Sequence, residues 1–244
     1  MDEDFLQTFM LAIVSGCFDN VDNFDDELEE ILTALLSAGN AGESSDFFEE
    51  VVPDMDDYWF MRHFRLNREA VSMLLEDLEL QGEEKFNAID LDKKLHLFLW
   101  YAANTETFRQ ISSKFGLAES SACRIVHEMM VRIANLANNY IKWPDAVRRD
   151  EIIERFRFLS GIDGAVGCLD GTHFKITKPS GEDVDPQPYF NGRKNFYSQQ
   201  LQAVCDDCMR FTDVYAGWFG SAHDSRVLRN SRLFADAQNH YAVS

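Results

Sequence analysis

Between residues 58 and 137 apolar side chains recur three and four positions apart, as in Val71, Leu74, Leu75 and Leu78, then Leu95, Phe98, Leu99 and Ala102. Such spacing gathers them on one face of a helix, so this stretch predicts an all-helical domain. A further helix is expected over 145–159, after the break at Lys142-Trp143-Pro144. Past Gly161-Ile162-Asp163-Gly164 the pattern changes, and three strand-like runs follow, at 165–177, 196–205 and 210–218. Only Asp206 to Met209 separate the last two runs, which predicts an antiparallel hairpin. The Pro-, Gly- and acid-rich stretch 179–195 predicts a loop. A helix over 222–234, with Val227, Leu228 and Leu233 as its apolar positions, closes the pattern. The fold class expected is α+β.

Charge divides the chain differently. Its net charge is −19, yet residues 1–57 hold 17 of the 42 acids and none of the 23 bases. From Lys85 to Arg157 the balance reverses, with twelve bases against nine acids, which permits contact with DNA. The first segment also shows helical spacing at Phe24, Leu28, Ile31, Leu32 and Leu35 before the break Ser37-Ala38-Gly39-Asn40-Ala41-Gly42. Its composition fits a solvated acidic arm, or a docking arm for a basic partner, or an intramolecular mimic of DNA. The expected organisation is an arm at 1–57, a helical domain at 58–160 and a third part at 161–244. Five scattered cysteines are not the pattern of a disulfide-stapled secreted domain. No run reaches the roughly 20 apolar residues that span a bilayer, and the apolar run 5–14 follows Asp2, Glu3 and Asp4 where a signal peptide needs positive charge. A soluble protein in a reducing compartment is expected.

Residues 105–126 fit a helix-turn-helix. Gly116 stands where the first helix must end in a left-handed residue, small Ser112 lies at the crossing, and Ile111, Phe115, Leu117, Ala122 and Ile125 supply apolar contacts. Ser120 or Ser121 is the expected cap of the second helix. Were that helix to enter a major groove, Ser121 would meet base edges, and Arg124, Arg109 and Lys114 would reach phosphates. The same geometry also serves as plain packing.

The candidate chemistry centres on Asp170, within Gly167-Cys168-Leu169-Asp170-Gly171-Thr172-His173. A carboxylate in a buried strand needs a compensating charge; the alternative is that Asp170-Gly171 makes a type I′ turn. Asp224, after the third strand-like run, is its natural partner. Two carboxylates brought together from strand ends suit a hard cation such as Mg²⁺ or Mn²⁺, which supports phosphodiester cleavage. His173 and His223 flank the pair as hydrogen-bonding or ligand candidates. Arg193 and Lys194 fit two roles equally, phosphate contact or surface pairing with Glu182, Asp183 or Asp185. Cys205 and Cys208, a single CxxC in the hairpin link, suit a structural role better than half a zinc site.

Four blocks in order, Gly167 to His173, then Tyr189-Phe190-Asn191-Gly192-Arg193-Lys194-Asn195-Phe196-Tyr197-Ser198, then Val204-Cys205-Asp206, then Asp213 to Ser225, resemble the PIF/Harbinger transposases and the nucleases derived from them. The resemblance extends from about Tyr58 to Phe234. It implies an RNase H-like catalytic domain whose three acids, DDE, hold two divalent metal ions, with the first on Asp170 and the second on Asp224. The third acid has no counterpart before Ser244, so the resemblance implies an incomplete, C-terminally truncated catalytic domain, active only with an acid from elsewhere, or a catalytically inactive DNA-binding or adaptor protein. Phe219 stands where that family commonly has Pro. It further implies DNA as substrate, a nuclear workplace and a Myb-like accessory protein.

Overall fold

A computed structural model describes residues 47–82, 89–104, 106–180 and 184–241. Those residues form two compact units, 47–137 and 138–241.

Five helices of seven residues or more form the body of the first unit, and short polar side chains set the starts of four of them. Asp56 accepts from the Trp59 backbone N–H ahead of α1 (Asp57–Phe64), and Asn67 accepts from Ala70 N–H ahead of α2 (Arg68–Leu80). Asp90 caps α3 (Leu91–Ala103), a helix buried all round from Lys94 to Trp100 that contacts each of the others. Such a helix is hydrophobic on every side because it is the centre of the unit; Ala102, expected in the core, is exposed at its end. Lys94 can sit inside because both carboxylate oxygens of Glu128 accept from its Nζ at 2.8 Å. Val71, Leu74 and Leu78 of α2 are buried as the spacing predicts.

Residues 47–56 already belong to this unit. Phe47 sets its ring edge-on to Trp100 and Phe115, and Arg68 donates to the carbonyls of Val52 and Met55. The acidic-arm positions Phe24 to Leu35 lie outside the described residues.

α4 (Phe108–Lys114) and α5 (Glu119–Asn135) pack together through Ile111, Phe115, Ala122 and Ile125, all buried. Between them the chain reverses in a Schellman motif: Leu117 N–H donates to Ser112 O at 2.9 Å, Gly116 N–H donates to Ser113 O, and Gly116 has φ +65°. Thr107 and Gln110 form a capping box at the start of α4. The expected serine cap of α5 is not made. Ala118 occupies the cap position without a side-chain bond, and Ser120 is turned into the core.

In the second unit Asp145 caps α6 (Ala146–Ser160), which ends on Gly161 at φ +71°. A four-stranded antiparallel sheet follows: β1 (Cys168–Lys175), β2 (Phe190–Asn191), β3 (Phe196–Cys205) and β4 (Phe211–Phe219). β3 is central, with β1 along one edge and β4 followed by β2 along the other. The predicted hairpin is therefore β3–β4. Its link turns on Asp206, whose Oδ1 accepts from the N–H groups of Cys208 and Arg210, with Met209 at φ +64°. Gly217, at φ +95°, is the extra residue of a bulge where Gln200 pairs with Trp218 but Leu201 pairs with Ala216. The expected last helix is interrupted at Asn230–Ser231, giving α7 (Asp224–Arg229) and α8 (Arg232–Tyr241). Among the described residues no helix is long and apolar enough to cross a membrane.

Candidate active site

Asp170 and Gly171 lie within β1, paired with Ala203 and Gln202 of β3, so they do not form a turn. The burial expected of that strand is not found: Cys168 to Thr172 are exposed, because among the described residues β1 pairs with β3 alone. Water on the open edge removes the cost of a lone carboxylate. Asp170 uses its Oδ1 to accept the N–H of Gly171 at 2.8 Å, a local bond that satisfies one edge donor.

Asp224 arrives from the other side of the sheet. β4 ends at Phe219, and the following residues fold back over β3. Gln200 Nε2 holds this crossing by donating to the carbonyls of Phe219 (3.1 Å) and Ala222 (2.5 Å), while Ser221 N–H donates to Pro188 O. Asp224 then starts α7 with its Oδ1 3.3 Å from where a side chain on Gly171 would begin. A Cβ at that position would press the carboxylate back by a few tenths of an ångström. Asp224 thus meets β1 at Gly171, the residue after Asp170. Asp224 makes no hydrogen bond or ion pair among the described residues.

Beside Asp224 is a cleft of about 240 Å³ lined by His173, Asn191, Arg193 and His223 among others. His173 is half-buried, with Nδ1 3.0 Å from Ser198 Oγ and Nε2 3.5 Å from Asn191 Nδ2. Ser198 and Asn191 thus hold the imidazole at both of its nitrogens. Burial, then the charges of Lys194 and Arg193, push the imidazole below its ordinary pKa, with Asp224 pulling the other way. The cleft therefore has a cationic wall and an anionic wall with a neutral imidazole between them. Asn191 joins the walls: its Nδ2 donates to Gly220 O at 2.8 Å and its Oδ1 accepts from Lys194 N–H at 2.9 Å. His223 is exposed at the cleft rim and holds the N-cap position of α7 without a side-chain hydrogen bond.

The remaining acidic cluster, Asp206, Asp207 and Cys208, already holds a cation. Arg148 Nη2 donates to Asp206 at 3.1 Å and to Asp207, and lies 3.6 Å from Cys208 Sγ. This guanidinium fastens α6 to the β3–β4 turn and stands where a metal ion would.

Residues 169–243 match the family described as DDE superfamily endonuclease. This part of the chain resembles the Harbinger-derived DDE endonucleases. The chain is 33% identical to Protein ALP1-like of Arabidopsis thaliana over 61% of its own length and 36% of that protein's. With Antagonist of Like Heterochromatin Protein 1, also of Arabidopsis thaliana, it shares 27% identity over 77% of the chain and 49% of the relative. With the human protein named "Putative nuclease HARBI1" the identity is 25% over 82% of the chain and 56% of the relative. The chain thus spans between about a third and somewhat over half the length of these curated relatives. No solved structure matches it significantly.

The DDE segment contains Asp170, His173, Arg193, Lys194, His223 and Asp224, and of these the structure brings all but Asp170 and Lys194 to the lining of one cleft. Arg109 and Arg124 are exposed on α4 and α5, while Ser121 is half-buried. Lys114 faces inward, paired with Glu106 at 3.4 Å and set 4.2 Å over the Trp100 ring, so its charge is engaged within the unit. Glu182 and Asp183 lie outside the described residues. The residues that build the cleft, Asn191, Ser198, Gln200 and Gly220, were not foreseen. Asn191, Ser198 and Gly220 stand in the motif blocks without an assigned role, and the signal for Gln200 is the polar side chains recurring in Ser198-Gln199-Gln200-Leu201-Gln202 within a strand-like run.

Proposed function

We propose that the second unit carries the metal-binding part of a DNA endonuclease site, with Asp170 and Asp224 as ligands of Mg²⁺ or Mn²⁺ and with Arg193 and Lys194 holding a DNA phosphate. The observation that carries this reading is the approach of the unpaired Asp224 carboxylate to β1 beside Asp170. The donor set fits the ion: two exposed carboxylates and hydration water are what a hard dication takes. When bound, such an ion polarises the scissile phosphate and lowers the pKa of water. The chain's own residues do the rest. The cationic wall seats the phosphate, and His173 presents its imidazole within the cleft.

Plasmid nicking in Mn²⁺ by a chain extended beyond residue 244 tests the assignment. Asp170→Asn and Asp224→Asn should each lower the rate by at least a hundredfold, on the order of 3 kcal/mol in the barrier; equal rates for all three proteins reject it.

A second reading is favoured by the Schellman turn with exposed Arg109 and Arg124: a catalytically silent DNA-binding protein that uses α4 and α5 as a helix-turn-helix. It requires salt-dependent DNA binding by the whole chain, with Arg124→Ala lowering the salt slope by about 1. Absence of binding at low salt rejects that reading. Work in the nucleus with a Myb-like accessory protein accompanies both readings.

A further inference from the structure

Gln202 lies in the middle of β3, 3% exposed, and neither its Oε1 nor its Nε2 hydrogen-bonds to any described group. Buried carboxamides are almost always paired, since both ends lose water on folding. The other side chains on this face of β3 are accounted for. Ser198 meets His173, Gln200 holds the carbonyls of Phe219 and Ala222, and Val204 lies under Gly167, at which a Cβ would strike its Cγ1. These contacts order the covering chain along the strand, Gly220 over Ser198 and Ala222 over Gln200.

Position 202 is next in that order. α7 packs on β3, and the register partner of Gln202 is Gly171, the residue against which the Asp224 carboxylate lies. Ile176 N–H donates to Tyr197 O, so that pair is hydrogen-bonded. Alternation makes Gly171 and Gln202, five positions along, a non-hydrogen-bonded pair, the kind whose Cα atoms stand closest. Gln202 therefore lies beneath Asp224.

We propose that Gln202 is a positioning residue for what Asp224 binds: its carboxamide, unpaired among the described residues, hydrogen-bonds the hydrated divalent cation carried by that carboxylate. A carboxamide suits this place because it both donates and accepts, so it can face water and carboxylate alike. The inference rests on the metal reading of Asp224. It makes stability and metal binding oppose each other at one residue, whereas a merely structural glutamine would support both.

The experiment uses the full chain, with thermal melting in the absence of metal and calorimetric titration with MnCl₂ alone. Gln202→Leu removes the unpaired amide and should melt about 2 to 4 °C above the unsubstituted protein, while its Mn²⁺ affinity falls about tenfold, the usual effect of losing a group that supports a ligand. Gln202→Met carries the same two readouts should the leucine not fold, and failure of both to fold overturns the proposal. A lower melting temperature, or unchanged Mn²⁺ affinity, also overturns it. Asp224→Asn separates the two levels. If Mn²⁺ binding depends on Asp224 but not on Gln202, only this inference fails; if Mn²⁺ binds without regard to Asp224, or not at all, the metal reading fails and takes the inference with it.

Discussion

At the scale of single residues, the cleft depends on positions where almost nothing else fits. A Cβ on Gly220 would strike Ser198 Oγ and stand 2.5 Å from Ser198 O and 2.6 Å from Tyr189 O. Two of these three atoms are backbone held in β3 and in the turn before β2, so they cannot yield. Gly220→Ala should destabilise the second unit by about 3 kcal/mol, the upper range for forcing a methyl into packed structure; urea unfolding measures it, and a loss below 1 kcal/mol would show that the crossing loop is free to shift. Asp206 offers a pH test. Burial works against its charge, but the N–H of Arg210, Arg148 and the N–H of Cys208 hold its carboxyl below the ordinary aspartate value. A folded pKa lower than the unfolded one stabilises above the unfolded value near 3.8 and is lost as pH falls through the folded value. Asp206→Asn should therefore cost about 2 kcal/mol at pH 7, and the difference from the unsubstituted protein should shrink below pH 4. A constant difference from pH 7 to pH 3 would exclude this electrostatic origin.

At the scale of elements, the turn between α4 and α5 was readable because one residue decides it. Only glycine enters the left-handed region at little cost, so Gly116 marked the reversal in the sequence and has φ +65° in the structure. Gly116→Ala should lower stability by about 1 kcal/mol, measured by thermal melting; no change would mean that the turn relaxes to another form. The strands were legible for a similar local reason: β3 falls on the predicted residues, and β4 within one residue of them. The character of β1 was not legible. Its sequence, Ala165-Val166-Gly167-Cys168-Leu169, looks like a buried strand, but burial is set by what lies beyond its free edge, which local pattern does not encode. The serine cap of α5 failed because the helix begins two residues before Ser121 and turns Ser120 inward. Capping chemistry is common to many serines, and only packing selects one. Asp170 and Asp224 stood out by their places at strand ends and in the motif blocks, whereas Asn191 and Gln200 act by bonding carbonyls about 20 to 30 residues away, contacts that only the folded sheet brings about.

At the scale of the whole molecule, charge sets the terms on which DNA can approach. Residues 1–46 hold twelve acids and no base, so the −19 of the whole chain becomes −7 for residues 47–244. A polyanion approaching the bases of the first unit meets the repulsion of those twelve charges wherever they are within reach of the field. The cut belongs at residue 47 rather than 58, because Phe47 packs on Trp100 and Arg68 holds the carbonyls of Val52 and Met55; a later cut would damage the helical unit. A chain beginning at Phe47 should bind duplex DNA about tenfold more tightly than the full chain at low salt. Because this effect acts at a distance, it should fade as ionic strength rises and the Debye length falls to about 8 Å at physiological salt. Fluorescence anisotropy across a salt series measures both. Converging affinities identify repulsion as the cause; a tenfold gap that persists at high salt instead identifies direct occupation of the DNA surface by the arm; and equal affinities at low salt would show that the acidic segment has no part in DNA recognition.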